Sequence, residues 1–359
     1  MSLADALAAR TEALCRILSP VGGEAEICGE VEAWARARFP SVDRVGDSLV
    51  VRVDGPRGDR PVVALCGHLD TVPIAEADLG PPRREGDRLI APGSSDMKGG
   101  LAVMMALAER MPRAERFCDL VLVLYAREEG PYLENELGTL LARPGLVDGA
   151  GIDLAVCLEP TDNGLQLGCI GSLHATFTFR GRAAHSARPW QGENAVHKAG
   201  GLLAALAART PREAVSGGLA FREVLSATRI EGGRARNVVP DRCTLNLNFR
   251  FAPDRTLESA EAELRALAAE HAAEIEIADR APACPAFSDH PLVRRLVERG
   301  ALAVSAKQAW TDVAQLAAHG IPAVNFGPGS TAQAHQQGEW VEVAALVRAH
   351  DALAAFLAR

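Results

Sequence analysis

Pro61-Val62-Val63-Ala64-Leu65-Cys66-Gly67-His68-Leu69-Asp70 is the stretch on which the fold turns. Residues 61–66 form a short apolar run rich in β-branched and leucine side chains, the pattern of a strand buried on both faces. Such strands belong to parallel sheets, where ligands gather just beyond the carboxyl ends. His68 and Asp70 stand at that position. Moving outward, residues 48–53, 120–125 and 154–158 have the same character, and GGLAVMMALAERM at 99–111 has the length and composition of a helix. Strand and helix alternation of this kind predicts an α/β domain whose sheet has a parallel core, with helices on both faces.

Near Gly171 the pattern changes. Residues 172–180 alternate as a strand, 194–208 read as an Ala/Leu helix, and 226–231 and 243–251 alternate again; a helix over 257–271 and a strand over 274–277 follow. That order, β-α-β-β-α-β, is ferredoxin-like. From about Pro291 the helix and strand alternation resumes. The chain therefore divides into a discontinuous domain, 1–171 with 285–359, and an inserted α+β domain over 172–284, with hinges expected at 168–172 and 281–287.

The chain has 359 residues, 46 acidic against 38 basic, a net charge of −8 and few aromatic residues. That balance argues against a nucleic-acid partner. Its eight cysteines are scattered, with no C-x-x-C pair, and read as buried thiols in a reducing compartment. Residues 1–18 read as an amphipathic helix rather than a signal peptide. No segment is apolar enough to span a bilayer, so the expected location is the cytoplasm without a membrane partner.

Five side chains trail these apolar segments or lie in the loops between them: His68, Asp96, Glu129, Glu159 and His335. Each has a bland reading. A histidine at a strand end is commonly a satisfied polar residue, Asp96 ahead of a helix suits an N-cap, and Glu128-Glu129 suits a solvated loop. Together, two imidazoles and three carboxylates suit two divalent metals, and the mixed nitrogen and oxygen set suits zinc. Asp96 fits the shared ligand best, because a carboxylate has two oxygens and can bridge cations ~3.5–4 Å apart. Asp70 fits the support of the His68 imidazole. Glu128 suits a general base beside Glu129, since a metal lowers the pKa of bound water towards ~7.

The segments CGHLDTVP (66–73), APGSSDMKGGLAV (91–103), YAREEGP (125–131), CLEPT (157–161) and GPGSTAQAH (327–335) resemble, in order, the metal motifs of the dinuclear zinc aminoacylase and carboxypeptidase superfamily. Within it, residues 180–200, 232–256 and 309–329 are most similar to the succinyl-diaminopimelate desuccinylase family. This resemblance implies a zinc-exopeptidase-like catalytic domain with a mixed central sheet flanked by helices, and an inserted ferredoxin-like domain that dimerises the protein. It implies two Zn2+ per subunit, with Co2+ able to substitute: His68, Asp96 and Glu159 on one ion, and Asp96, Glu129 and His335 on the other. It further implies Glu128 as general base and acid, Asp70 as the residue orienting His68, and His185 crossing to the partner subunit's site to stabilise the oxyanion. Asn237 and Arg250 would contact substrate carboxylates, for which a guanidinium fork is well shaped.

The implied reaction is hydrolysis of a linear amide, N-succinyl-LL-2,6-diaminopimelate, to succinate and LL-2,6-diaminopimelate in lysine and diaminopimelate biosynthesis. Gly130-Pro131-Tyr132 after Glu129 belongs to a loop that varies with substrate, so N-acetylornithine deacetylase or a related N-acyl-amino-acid hydrolase is the alternative. A catalytically inactive metal-binding relative is the non-enzyme alternative, and the presence of Glu128 argues against it. A cysteine hydrolase lacks a cysteine beside a histidine in any motif.

Overall fold

The computed structural model describes residues 1–56 and 58–359. They form two compact units: Met1–Gly168, Ala286–Ala306 and Gln315–Arg359 make the first, and Cys169–Pro285 with Lys307–Ala314 the second.

The first unit begins with α1 (Leu3–Arg16), whose N-terminus is capped by the Ser2 hydroxyl accepting from the Asp5 N–H at 3.1 Å. Then follow α2 (Ala25–Arg36), β1 (Ser41–Val45), β2 (Ser48–Arg52), β3 (Val62–His68), β4 (Arg83–Glu85), β5 (Arg88–Ile90), α3 (Gly99–Arg110), β6 (Asp119–Tyr125), α4 (Glu136–Leu141), β7 (Leu154–Cys157) and β8 (Leu165–Leu167). The second unit supplies β9 (Gly171–Arg180), α5 (Ala195–Ala208), β10 (Arg212–Ser216), β11 (Leu219–Gly232), β12 (Arg242–Phe251), α6 (Leu257–Glu270) and β13 (Glu274–Ala281). The chain closes with α7 (Pro291–Gly300), β14 (Val304–Ala306), α8 (Val313–Ala318), β15 (Ala323–Asn325), β16 (Trp340–Glu342) and α9 (Val343–Leu357).

The main sheet has the order β1-β2-β6-β3-β7-β15-β8-β14. β3 runs parallel to β6 on one side and to β7 on the other, and β15 is parallel to β7. The antiparallel pairs β2/β6 and β15/β8 border this parallel core, so the sheet is mixed. Every residue of β3, β6 and β7 is buried, as the continuous apolar runs require. Helices α1, α3, α7 and α9 pack as a group, while α2 lies on β1 and β2. A small sheet, β16-β5-β4, carries the chain from the His335 region back beside the segment preceding α3. Among the described residues no helix is long and apolar enough to cross a membrane.

The second unit is a five-stranded antiparallel sheet, β10-β11-β12-β9-β13. The predicted order β-α-β-β-α-β lacks one strand, β10. Gly217 and Gly218, both with positive φ, let residues 212–216 fold back on β11 as a hairpin, and β11 is longer than the predicted 226–231. Strand alternation puts Cys243, Leu245, Leu247, Phe249 and Phe251 in the core with Leu202 of α5 and Leu264 of α6. Burying each such leucine or phenylalanine contributes about 1.5–3 kcal/mol. Asn246, Asn248 and Arg250 fall on the opposite face.

Candidate active site

His68 ends β3, the strand flanked by β6 and β7. Gly67 before it packs closely: a Cβ there would lie 2.5 Å from the Met97 methyl, which would have to shift to admit it. With that space open, the His68 N–H reaches the Met97 sulfur at 3.3 Å and the imidazole is fully buried. Its Nδ1 lies 3.0 Å from the Asp70 carbonyl oxygen and its Nε2 3.2 Å from Asp96 Oδ1. A ring that donates Nδ1–H to a backbone carbonyl presents its Nε2 lone pair to the site, the tautomer a metal needs.

Asp96 is not a helix N-cap. It sits inside a short π-helical turn, Ser94–Lys98, with extended backbone angles (φ −122°, ψ 93°), and Lys98 occupies the capping position of α3. Lys98 itself is buried, its ammonium donating to the Ile17 carbonyl at 2.7 Å, so it anchors this turn to the end of α1. Asp70, also fully buried, accepts from the backbone N–H groups of Glu128 (3.1 Å) and Glu129 (2.9 Å). It therefore fixes the whole Glu128-Glu129 turn beyond β6, besides lying 3.5 Å from His68 Nδ1. Glu159 is buried at the end of β7. His335, exposed on its loop, has Nε2 3.0 Å from Glu129 Oε1 and 3.8 Å from Asp96 Oδ2.

All five predicted metal ligands thus converge. Ligand atoms of His68, Asp96 and Glu159 lie within 4.8 Å of one another, as do those of Asp96, Glu129 and His335. Asp96 belongs to both triads. A third grouping of the same span, His68 with Glu128 and Glu129, places Glu128 against the same centre. The electrostatics fit cations. Burial disfavours a charged His68, yet its bonds to Asp70 and Asp96 outweigh burial and hold its pKa well above the ordinary value. Glu129 raises His335 to about 9. Burial would raise Asp70, but His68 and the two backbone N–H groups prevail and lower it. Carboxylates this dense draw protons onto both imidazoles, and divalent cations answer the same excess of negative charge more strongly.

The other predicted residues lie in the second unit. His185 is exposed on a loop, its Nδ1 accepting from the Ala187 N–H at 3.0 Å. The next residue, Ser186, donates its N–H to the carbonyl of Asn237 at 3.0 Å, so one loop pair carries both His185 and Asn237. Arg250 is half-buried on β12, its Nε donating to Asn248 Oδ1 at 2.9 Å, and burial lowers its pKa.

Two acids escape sequence inspection. Glu24 accepts from the N–H groups of Gly22 (2.8 Å) and Arg127 (3.2 Å), supporting the Glu128-Glu129 turn from the N-terminal side. Glu339 accepts three backbone N–H bonds from the Asp96 loop. Burial, with the Asp96 charge adding to it against those bonds, raises Glu339 to about 7. The only signal in the sequence is an acid placed directly before the apolar pair Trp340-Val341.

The sequence profile of peptidase family M20/M25/M40 matches residues 64–359. The chain belongs to that family. A Mycobacterium tuberculosis relative, provisionally named a succinyl-diaminopimelate desuccinylase, is 41% identical over 350 residues, covering 97% of this chain and 96% of the relative. The succinyl-diaminopimelate desuccinylase of Corynebacterium glutamicum is 37% identical over 337 residues, covering 92% and 90%. Among solved M20 structures, a Bacillus subtilis protein described as a dinuclear metal binding peptidase superposes with a TM-score of 0.65 at 17% identity, over 99% of this chain and 97% of that one. This last likeness concerns the fold, and it spans both units.

Proposed function

We propose that the chain is a dinuclear-metal amide hydrolase that removes succinate from N-succinyl-LL-2,6-diaminopimelate. The observation that carries the chemistry is Asp96: one carboxylate shared by two ligand triads, each completed by a histidine and a glutamate. The substrate follows from the two desuccinylase relatives, which match nearly end to end.

In this reading His68, Asp96 and Glu159 hold one ion, and Asp96, Glu129 and His335 the other. Zinc suits the mixed imidazole and carboxylate donors, and Co2+ would be accepted by the same set. When bound, the pair polarises the amide carbonyl and acidifies the attacking water. Glu128 takes that water's proton and delivers it to the departing amine nitrogen. Asp70 serves both histidine and base, since it touches His68 and holds the Glu128 amide. His185 donates to the substrate oxygen as it gains negative charge, a contribution of the kind worth ~2.7–4 kcal/mol. Arg250 and Asn237 bind the substrate's carboxylates, and a half-buried guanidinium whose Nε is already engaged by Asn248 keeps its two terminal amino groups for such a fork.

We infer a homodimer formed through the second unit, with His185 serving the partner's site. We infer a cytoplasmic location, since eight buried cysteine thiols suit a reducing compartment, and a role on the route to diaminopimelate and lysine, which the proposed substrate supports. N-Acetylornithine is the competing substrate, because deacetylation needs the same metal chemistry. The test compares kcat/KM for the two amides with zinc supplied. The expected result is a preference of at least about a hundredfold for the succinyl substrate, the discrimination that unpaired polar groups in a carboxylate-reading site impose. Preference for N-acetylornithine would overturn the substrate and leave the metal chemistry standing.

A further inference from the structure

The loop bearing Asp96 cannot satisfy its own backbone. Gly93 is left-handed (φ +74°), and Asp96 and Met97 depart from helical angles, so the amides of Gly93, Ser95 and Asp96 have no regular helical acceptors. One side chain supplies all three. Glu339, 7% exposed, accepts from the N–H of Ser95 (2.6 Å) and of Asp96 (2.8 Å) through Oε1, and from that of Gly93 (2.6 Å) through Oε2. Its own carbonyl takes the Ala91 N–H at 3.0 Å. Charge-assisted bonds of this kind are short and roughly twice as strong as neutral ones.

The other end of the connection is equally fixed. Glu339 follows His335 by four residues in the chain, and the intervening Gly338 donates its N–H to the Asp78 carboxylate at 3.1 and 3.3 Å. Asp162 holds the loop ahead of His335 through the Thr331 N–H (3.2 Å) and hydroxyl (2.9 Å). The segment carrying one ligand is thus pinned on both sides and reaches across to grip the backbone of another. Because the grip includes the amide of Asp96 itself, it fixes where that carboxylate starts from.

We propose that Glu339 is a positioning residue for the metal centre, clamping the Asp96 loop to the His335 segment and so setting the spacing of these two ligands before any ion binds. The proposal rests on Asp96 and His335 being metal ligands. Glu339 acts as an acceptor of N–H bonds and not as a ligand.

Glu339→Gln keeps the volume and one oxygen, but turns an amino group towards a backbone N–H. Glu339→Asp is one methylene short, and Glu339→Ala removes the acceptor. Each variant, with Asp96→Asn as a control, is freed of metal, checked for folding by circular dichroism, and titrated with Zn2+ against a chromophoric chelator. The expected result is a rise in Kd of about tenfold to a hundredfold for the ion pair, the usual consequence of losing support around a ligand. Activity should recover as free Zn2+ is raised above the new Kd, a behaviour that general destabilisation would not produce. Zn2+ affinity within twofold of the parent in the folded variants would overturn the proposal, as would failure of all three to fold without metal, which would make Glu339 a folding residue. If Asp96→Asn also leaves both affinities unchanged, the ligand assignment itself fails; if Asp96→Asn weakens binding and the Glu339 variants do not, only the clamp fails.

Discussion

Asp70→Ala removes the acceptor of two backbone amides while leaving all five convergent ligand side chains unsubstituted. In the parent, the Asp70 carboxylate holds the N–H groups of Glu128 at 3.1 Å and Glu129 at 2.9 Å, and is fully buried. Hydrogen bonds to charged groups contribute roughly 1.5–3 kcal/mol each, so the pair stands at ~3–6 kcal/mol. Glu128 and Glu129 are half-buried, and water reaching the freed amides offsets part of that, leaving a loss of about 2–4 kcal/mol. Asp70→Asn, which keeps one acceptor oxygen, should lose about half as much. The catalytic effect should be larger than the stability effect: a shift of the Glu128 turn by ~1 Å is enough for a fall of ~10²-fold in kcat. Two measurements decide it, thermal unfolding in the presence of chelator and single-turnover hydrolysis at saturating zinc. A chelator-treated Asp70→Ala protein that melts with the parent and turns over within threefold of it would refute the tether.

Glu128→Gln should retain both zinc ions by elemental analysis while losing at least ~10²-fold in kcat, the lower end of general acid-base contributions; undiminished turnover would remove Glu128 as the base. Mixing His185→Ala with Glu128→Gln subunits should restore activity if His185 serves the partner's site, and no recovery after verified subunit exchange would count against the shared site. Glu223 in the second unit gives a pH prediction. Burial would raise its pKa, but Arg212, the Ala252 N–H and Arg255 prevail and lower it, so its stabilisation is whole above the unfolded value of ~4.3 and disappears as pH falls through the folded one. Glu223→Gln should therefore cost about 2–3 kcal/mol at pH 7, less than the ~3–5 kcal/mol of an orphaned buried charge because Arg212 keeps Asp254 and Arg255 keeps Glu263. The deficit should shrink as pH falls below the unfolded value and disappear once Glu223 is protonated in the folded state, read in denaturant titrations; a pH-independent deficit would contradict the ion-pair origin.

The parallel core was legible because β3, β6 and β7 are continuous apolar runs bounded by polar turns, and their ends announce His68, Glu128-Glu129 and Glu159. Asp96 was legible as a candidate, though its local setting was not, since a π-helical turn has no periodicity to read. β10 is hard to read in the sequence because its five residues, Arg212–Ser216, carry two charges and little apolar pattern, and the Gly217-Gly218 turn is the signal that marks it. Glu339 and Glu24 illustrate a more general limit. Glu339 acts on three backbone amides far away in sequence and Glu24 on that of Arg127, and an acceptor of main-chain N–H groups leaves no partner residue to search for.

Glu129 and His335 touch across a separation of 206 residues. Closing a loop of that length in an unfolded chain costs about 5 kcal/mol of entropy by the logarithmic law, and the rest of the ligand set would need further closures. A metal ion therefore makes a poor folding nucleus for this protein. Sheet formation brings the ligand-bearing ends together first, and the complete ion pair becomes available only to a chain already folded. Loading should accordingly be separable in time from folding. A refolding experiment started in chelator should recover the native sheet with unaltered kinetics, and activity should appear only on the later addition of metal.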